Sequence, residues 1–178
     1  LPNLIHINPA HLSVPGQQAA PPPLLTLLQA YGELAENKPQ YVDSYLRVLD
    51  QLEKTQPDNP LVQAALGRRD LKNGDFSSAD GHLRRSLKSG PAVATTYADL
   101  ADALTHLGQT VEARSLIEKA VELDPFNPLT RKMLVVNLIE AKQYPEAQKA
   151  LEDYLEVFPQ DAFMRQMLNR AESTNPHP

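Results

Sequence analysis

The chain has 178 residues, 42% of them hydrophobic and 22% charged, with a formal net charge of -5. That length supports one domain with a real core, and the acidic balance argues against nucleic acid or an anionic membrane surface as the main partner. The absence of cysteine excludes disulfides, thiolate metal sites, a cysteine nucleophile and covalent c-type haem attachment, and no apolar run approaches the roughly 20 residues of a membrane span.

The first segment, "LPNLIHINPAHLSVPGQQAAPPP", covers residues 1–23 and contains no Asp, Glu, Lys or Arg. It carries six of the 16 prolines and two of the five histidines, His6 and His11. The aliphatics Leu4, Ile5, Ile7, Leu12 and Val14 are scattered through it. A free tail is rich in charge and poor in such residues. The segment therefore reads as an extended arm that lies against a protein surface. The first residue is Leu rather than Met, and the expected location is outside the cytoplasm, in the periplasm or beyond.

"LLTLLQAYGELAE" and "YVDSYLRVLDQLEKT" have helical apolar spacing. They predict a degenerate helix pair over 24–59. From there a period of 34 dominates. Pro57, Pro91, Pro125 and Pro159 keep it, as do Ala79, Ala113 and Ala147. Leu66, Leu100 and Leu134 keep it, as do Leu83, Ile117 and Leu151. Gly74 and Gly108 continue the series until Lys142 breaks it. Such a period marks stacked supersecondary units. Small residues at Gly67, Ala101 and Ala79 let helix backbones approach. Gly74 and Gly108 suit a turn that needs positive φ. Asn59-Pro60 and Asn127-Pro128 read as N-cap and first helical residue. Asp161 is placed to cap a last helix over 162–173, before a short tail at 174–178.

The unit "ATTYADLADALTHLGQTVEARSLIEKAVELDP" resembles the tetratricopeptide repeat. Its Tyr97, Leu100, Ala101, Leu104, Gly108, Ala113, Ile117, Ala120 and Pro125 sit where that family's pattern wants their type. Three units, 60–93, 94–127 and 128–161, follow it, with departures at Arg131 and Tyr154. The resemblance implies an all-α, right-handed α-solenoid of antiparallel helix pairs, with the arm extended beside it. No unit of such an array buries its own apolar face, so neighbours stack.

Carrying over the family's groove positions gives a partner-binding face of Leu61, Ala64, Arg68, Asp99, Asp102, His106, Lys132, Met133, Val136 and Ile139. It reads as apolar at its ends and acidic in the middle, suited to an extended apolar peptide or a helix. Asp99, Asp102 and His106 share one helix face. No phosphate loop, metalloprotease motif or nucleophile elbow is present, so a catalytic role is not expected. His82, beside Arg84 and Arg85, reads as a packing or solvated residue.

The functional expectation is a non-catalytic scaffold that binds protein, above all other copies of itself, head to tail through the arm. An alternative follows from a loose likeness of "KQYPEAQKALEDYLEVFPQDAFMRQML" to repeat segments of secreted multihaem proteins. It is a sheath for a haem-bearing partner, with His6, His11 or His106 as ligands supplied in trans. A monomeric peptide-binding adaptor is the third reading. No cofactor is expected on this chain alone.

Overall fold

A computed structural model describes residues 23–174. The arm, with Leu4, Ile5, His6, Ile7, His11, Leu12 and Val14, and the end of the tail lie outside the described residues. Every regular element among those described is helical: α1 (Leu24–Asn37), a 3-10 turn (Pro39–Tyr41), α2 (Val42–Thr55), α3 (Pro60–Asn73), α4 (Phe76–Ser89), α5 (Ala94–His106), α6 (Thr110–Leu123), α7 (Pro128–Glu140), α8 (Tyr144–Val157) and α9 (Ala162–Thr174). No helix among them is long and apolar enough to cross a membrane.

The chain divides into two units, one ending at Leu52 and one beginning at Glu53. In the first, α1 starts without a side-chain cap, and the Pro23 carbonyl instead accepts from the Thr26 and Leu27 amides at 2.9 and 3.2 Å. The helix gives way to extended backbone at Lys38, because the residue before a proline is driven out of the helical region. Tyr31 stacks on Tyr41 with ring centroids 6.2 Å apart. Gly32 leaves room for the Tyr45 ring.

In the second unit α3 pairs with α4, α5 with α6 and α7 with α8. Each pair packs on the next, and α9 closes on α8. This is an α-solenoid, built as the sequence period requires. Asn59 Oδ1 accepts from the Leu61 amide at 3.0 Å, and Asn127 Oδ1 accepts from the Leu129 amide at the same distance. Each leaves a proline at the first helical position, where a missing N–H costs nothing. Asp75 caps α4 through the Ser78 amide at 3.1 Å.

The three turns inside the pairs repeat one hydrogen-bond pattern. Gly74, Gly108 and Lys142 donate to Leu71, Thr105 and Ile139, and the residues after them donate to Asp70, Leu104 and Leu138. These are Schellman closures, which need a left-handed residue. Gly74 and Gly108 supply it at φ 76°, and Lys142 is forced to φ 59°. The lysine that interrupts the glycine series thus adopts the glycine geometry, at a steric cost the other turns do not carry.

Buried clusters hold the array, among them the following two. One joins Ala79, Leu83, Leu100, Ala101, Leu104, Ala113 and Ile117. The other joins Val135, Leu151, Tyr154 and Met164. Gly67 is small for a visible reason: a Cβ there would stand 2.5 Å from Leu83 Cγ. Tyr154, a departure from the repeat pattern, is 1% exposed. It fills a place that Ser86 and Ala120 hold in the earlier units, and it reaches Met164 of α9. Of the apolar residues early in α9, Met164 is buried and Phe163 is exposed.

Arg131, the other departure, has a different role. Its Nε donates to the Pro125 carbonyl at 2.5 Å and a terminal nitrogen donates to the Asp153 carbonyl at 3.1 Å. Gln63 and Arg165, one period away on either side of the Tyr97–Arg131 pair, do likewise. Gln63 donates to the Pro57 carbonyl and Arg165 to the Pro159 carbonyl, each at 2.5 Å. Where the family's aromatic is absent, a long polar side chain satisfies the carbonyl of the proline that stops the preceding helix.

Candidate functional site

The first helices of the three pairs, α3, α5 and α7, carry the predicted binding face, and α9 continues their register. Their second residues form one row in the 34-residue register: Leu61, Thr95, Leu129 and Phe163. All four are exposed, and the apolar three stand at 40%, 64% and 66%. Val136, two turns further along α7, is 45% exposed. An apolar row in register on one set of helices is a candidate surface for a partner to cover, while Val111 and Phe126, at 82% and 72%, are exposed outside it. Phe163 is a member that reasoning from the sequence missed, although the register points to it. Met133 and Ile139 are half-buried, and their stems pack on the two cores. Ala64 is only 6% exposed and offers almost no surface.

Charge on this face differs from the sequence expectation in two places. Asp99 is not an open acidic centre. Arg68 Nε donates to its Oδ2 at 2.7 Å, and a terminal nitrogen of Arg68 donates to Thr95 Oγ1 at 3.3 Å. That pair ties α3 to α5 and neutralises the middle of the face. Lys132 is likewise not an open cation, because its Nζ lies 2.6 Å from Asp161 Oδ2.

Asp161 gathers three donors. It accepts from Lys132 Nζ, from the Tyr154 hydroxyl at 2.8 Å and from the Met164 amide at 3.1 Å. Those three donors, Lys132 first, hold its pKa down at about 2, and burial opposes them weakly. One residue therefore caps α9, anchors the buried tyrosine and fixes a lysine of the binding face. Lys132 also lies over the Tyr154 ring, 5.6 Å from its centroid.

The remaining named residues are placed as follows. Asp102 and His106 lie on one side of α5 with Oδ1 and Nε2 3.7 Å apart, both half-exposed. The His106 ring stacks flat on Phe76, 4.0 Å away at 9°. His82 is not solvated. Its Nδ1 lies 2.8 Å from Gln63 Oε1 and its Nε2 3.5 Å from Asp70 Oδ2. Burial, then the neighbouring Arg85, lowers its pKa. Among the described residues no group of three or more His, Asp or Glu side chains could hold a metal ion.

The fold and its exposed first-helix face define a helical-repeat solenoid of the kind that presents a surface to other proteins. Two family models, each described as tetratricopeptide repeat, match residues 64–128 and 106–171. Residues 64–171 are therefore built of tetratricopeptide repeats. No curated protein matches it in sequence. Among solved structures it is similar to MamA, at 18% identity and a TM-score of 0.69, over 81% of this chain and 84% of that one. It is similar to YrrB, described as a TPR protein with an unusual peptide-binding site, at 17% identity and 0.66, over 85% and 74%. It is similar to the first TPR of Spaghetti (RPAP3) bound to an HSP90 peptide, at 19% identity and 0.59, over 67% and 97%. At these identities the likeness is one of fold.

Proposed function

We propose that this chain is a non-catalytic, exported protein-binding scaffold. Its first-helix face takes an extended apolar segment, and the uncharged arm of residues 1–23 supplies that segment from another copy. The observation that carries the reading is the row of Leu61, Leu129 and Phe163 with Val136, left exposed while the charges between them are paired internally. An uncharged, proline-rich peptide complements such a face, because it brings no charge to desolvate and loses little entropy on extension. Peptide capture is a use that the descriptions of YrrB and Spaghetti record for this fold. Docking between copies gives a head-to-tail contact, which closes into a ring or runs on as a filament.

The test is the solution mass of the full chain beside a version lacking residues 1–23, with the synthetic arm peptide titrated into the latter. The reading expects assemblies from the full chain, loss of assembly on truncation, and saturable peptide binding that Leu129→Asp weakens. Equal masses and no peptide binding would overturn it.

A haem-bearing partner is the second reading, and one observation favours it. His106 is half-exposed, with the Asp102 carboxylate 3.7 Å from Nε2, a separation that a small side-chain shift would close into the carboxylate backing a ligating imidazole uses. His6 and His11 would serve beside it. A Soret band in assemblies from the native source that disappears in His106→Ala is the expected result, and its absence would remove the idea.

A further inference from the structure

We propose that the groove bounded by α6, α7 and α8 is a second docking site, and that it takes basic side chains from α4 of another copy of this chain. An open groove of about 320 Å³ lies there, room enough for a long side chain with water around it. Its apolar part is Leu134, Leu138 and Ala150, buried or half-buried. Its exposed carboxylates are Glu118, Glu146 and Asp153, and none of them forms an ion pair among the described residues.

That combination fits a lysine or arginine. The aliphatic stem lies along apolar surface while the charged head stays among carboxylates and water. Two cations already line the groove. Arg114 is turned inward, with Nε donating to Asn137 Oδ1 at 3.0 Å and a terminal nitrogen donating to Gln143 Oε1. Lys149 is exposed and leaves a surplus of acid.

The occupant follows from charge along the second helices of the pairs. In α4, Arg84, Arg85 and Lys88 stand against Asp80, a net of +2. In α6, Arg114 and Lys119 stand against Glu112, Glu118 and Glu122, a net of -1. In α8, Lys149 stands against Glu146, Glu152, Asp153 and Glu156, a net of -3. Arg84 is held by Asp80 at 2.6 Å and Glu112 at 2.8 Å. Arg85 meets no carboxylate: its Nε donates to the Gly81 carbonyl at 3.2 Å and a terminal nitrogen lies 3.1 Å from His82 Nδ1. Arg85 and Lys88, both exposed, are therefore the cations without a carboxylate among the described residues. The basic and acidic helices lie two periods apart with α6 between them. They therefore meet only between copies, either reciprocally across a two-fold axis or head to tail. This contact needs no residue of the arm. An apolar arm contact is unchanged or strengthened by salt, whereas this one is screened by it.

The test uses the full chain in sedimentation velocity between about 0.02 and 0.5 M NaCl. Two variants reverse one face each: R85E/K88E and E118K/D153K, all at exposed positions, with unchanged circular dichroism as the control for folding. The wild type should show an association that weakens with salt, and each variant should lose it by about tenfold or more at low salt. The equimolar mixture of the two variants should regain it, because each supplies the face the other lacks. Salt-independent masses for the wild type, wild-type association in either variant, or a mixture that does not reassociate would each overturn the proposal. None of those results bears on the effect of removing the arm.

Discussion

The pairs α3–α4 and α5–α6 and the stretch α7–α9 run on one 34-residue template, and they keep it by different means. In the first stretch small residues allow close approach: Gly67 lies against Leu83, and Gly74 and Gly108 turn the chain at φ 76°. In the second the small positions are filled by Val135 and Tyr154, the glycine turn is made by Lys142, and polar groups take over the joints. Conserving backbone geometry while changing how it is enforced teaches that the template is a set of distances and dihedrals. Residue identities are one way of meeting it.

The sharpest break in that comparison is Tyr154→Ala. The side chain is fully buried among Val135, Leu151 and Met164, and its loss should cost about 4 kcal/mol in urea denaturation. Tyr154→Phe should cost only about 1 kcal/mol, the hydrogen bond to Asp161. Gly67→Ala comes next. Its added methyl meets Leu83 Cγ at 2.5 Å, and overpacking of that kind costs about 2 kcal/mol. A loss near zero there would mean that the two stretches pack alike.

Lys142→Gly should run the other way. It removes a left-handed strain at φ 59° and should stabilise the chain by about 1 kcal/mol, while Gly108→Lys should destabilise it by a similar amount. The smallest effect concerns acid. Asp161 falls from its ordinary 3.8 to about 2 in the folded chain. Its contribution is present above 3.8 and is lost as pH drops through about 2. Asp161→Asn should flatten the stability profile between pH 4 and 2, measured by thermal unfolding at each pH, and leave the profile above pH 5 unchanged in shape.

The repeat, the caps and the turns were legible because each is local or recurs at a fixed interval. Asn59-Pro60, Gly74 and the leucine rows announce their roles within a few residues. The binding face was legible only by position. Leu61, Leu129 and Val136 stand open, but Ala64 is covered and Asp99 and Lys132 are paired. Those pairings lie 31 and 29 residues apart, off the period of 34, so no periodicity signals them. Arg114 with Gln143 is another of 29. His82 read as either packing or solvated, and its partners, Gln63 and Asp70, stayed hidden because they come from the other helix of its pair. Side-chain reach across a packed interface decides such contacts, and spacing along the chain does not encode it.

The bond from Gln63, Arg131 and Arg165 back to the carbonyl of Pro57, Pro125 and Pro159 spans six residues in each case. Every part of that joint is therefore written in one uninterrupted heptapeptide. A stretch of gene copied from one such proline to the next carries a finished hinge with it. The further contacts of its side chains, Gln63 with His82 and Arg131 with the Asp153 carbonyl, fall within the same repeat length, so a whole unit brings them along. Arrays of this kind lengthen by duplication, and a joint that travels whole lets a longer array fold in its first generation.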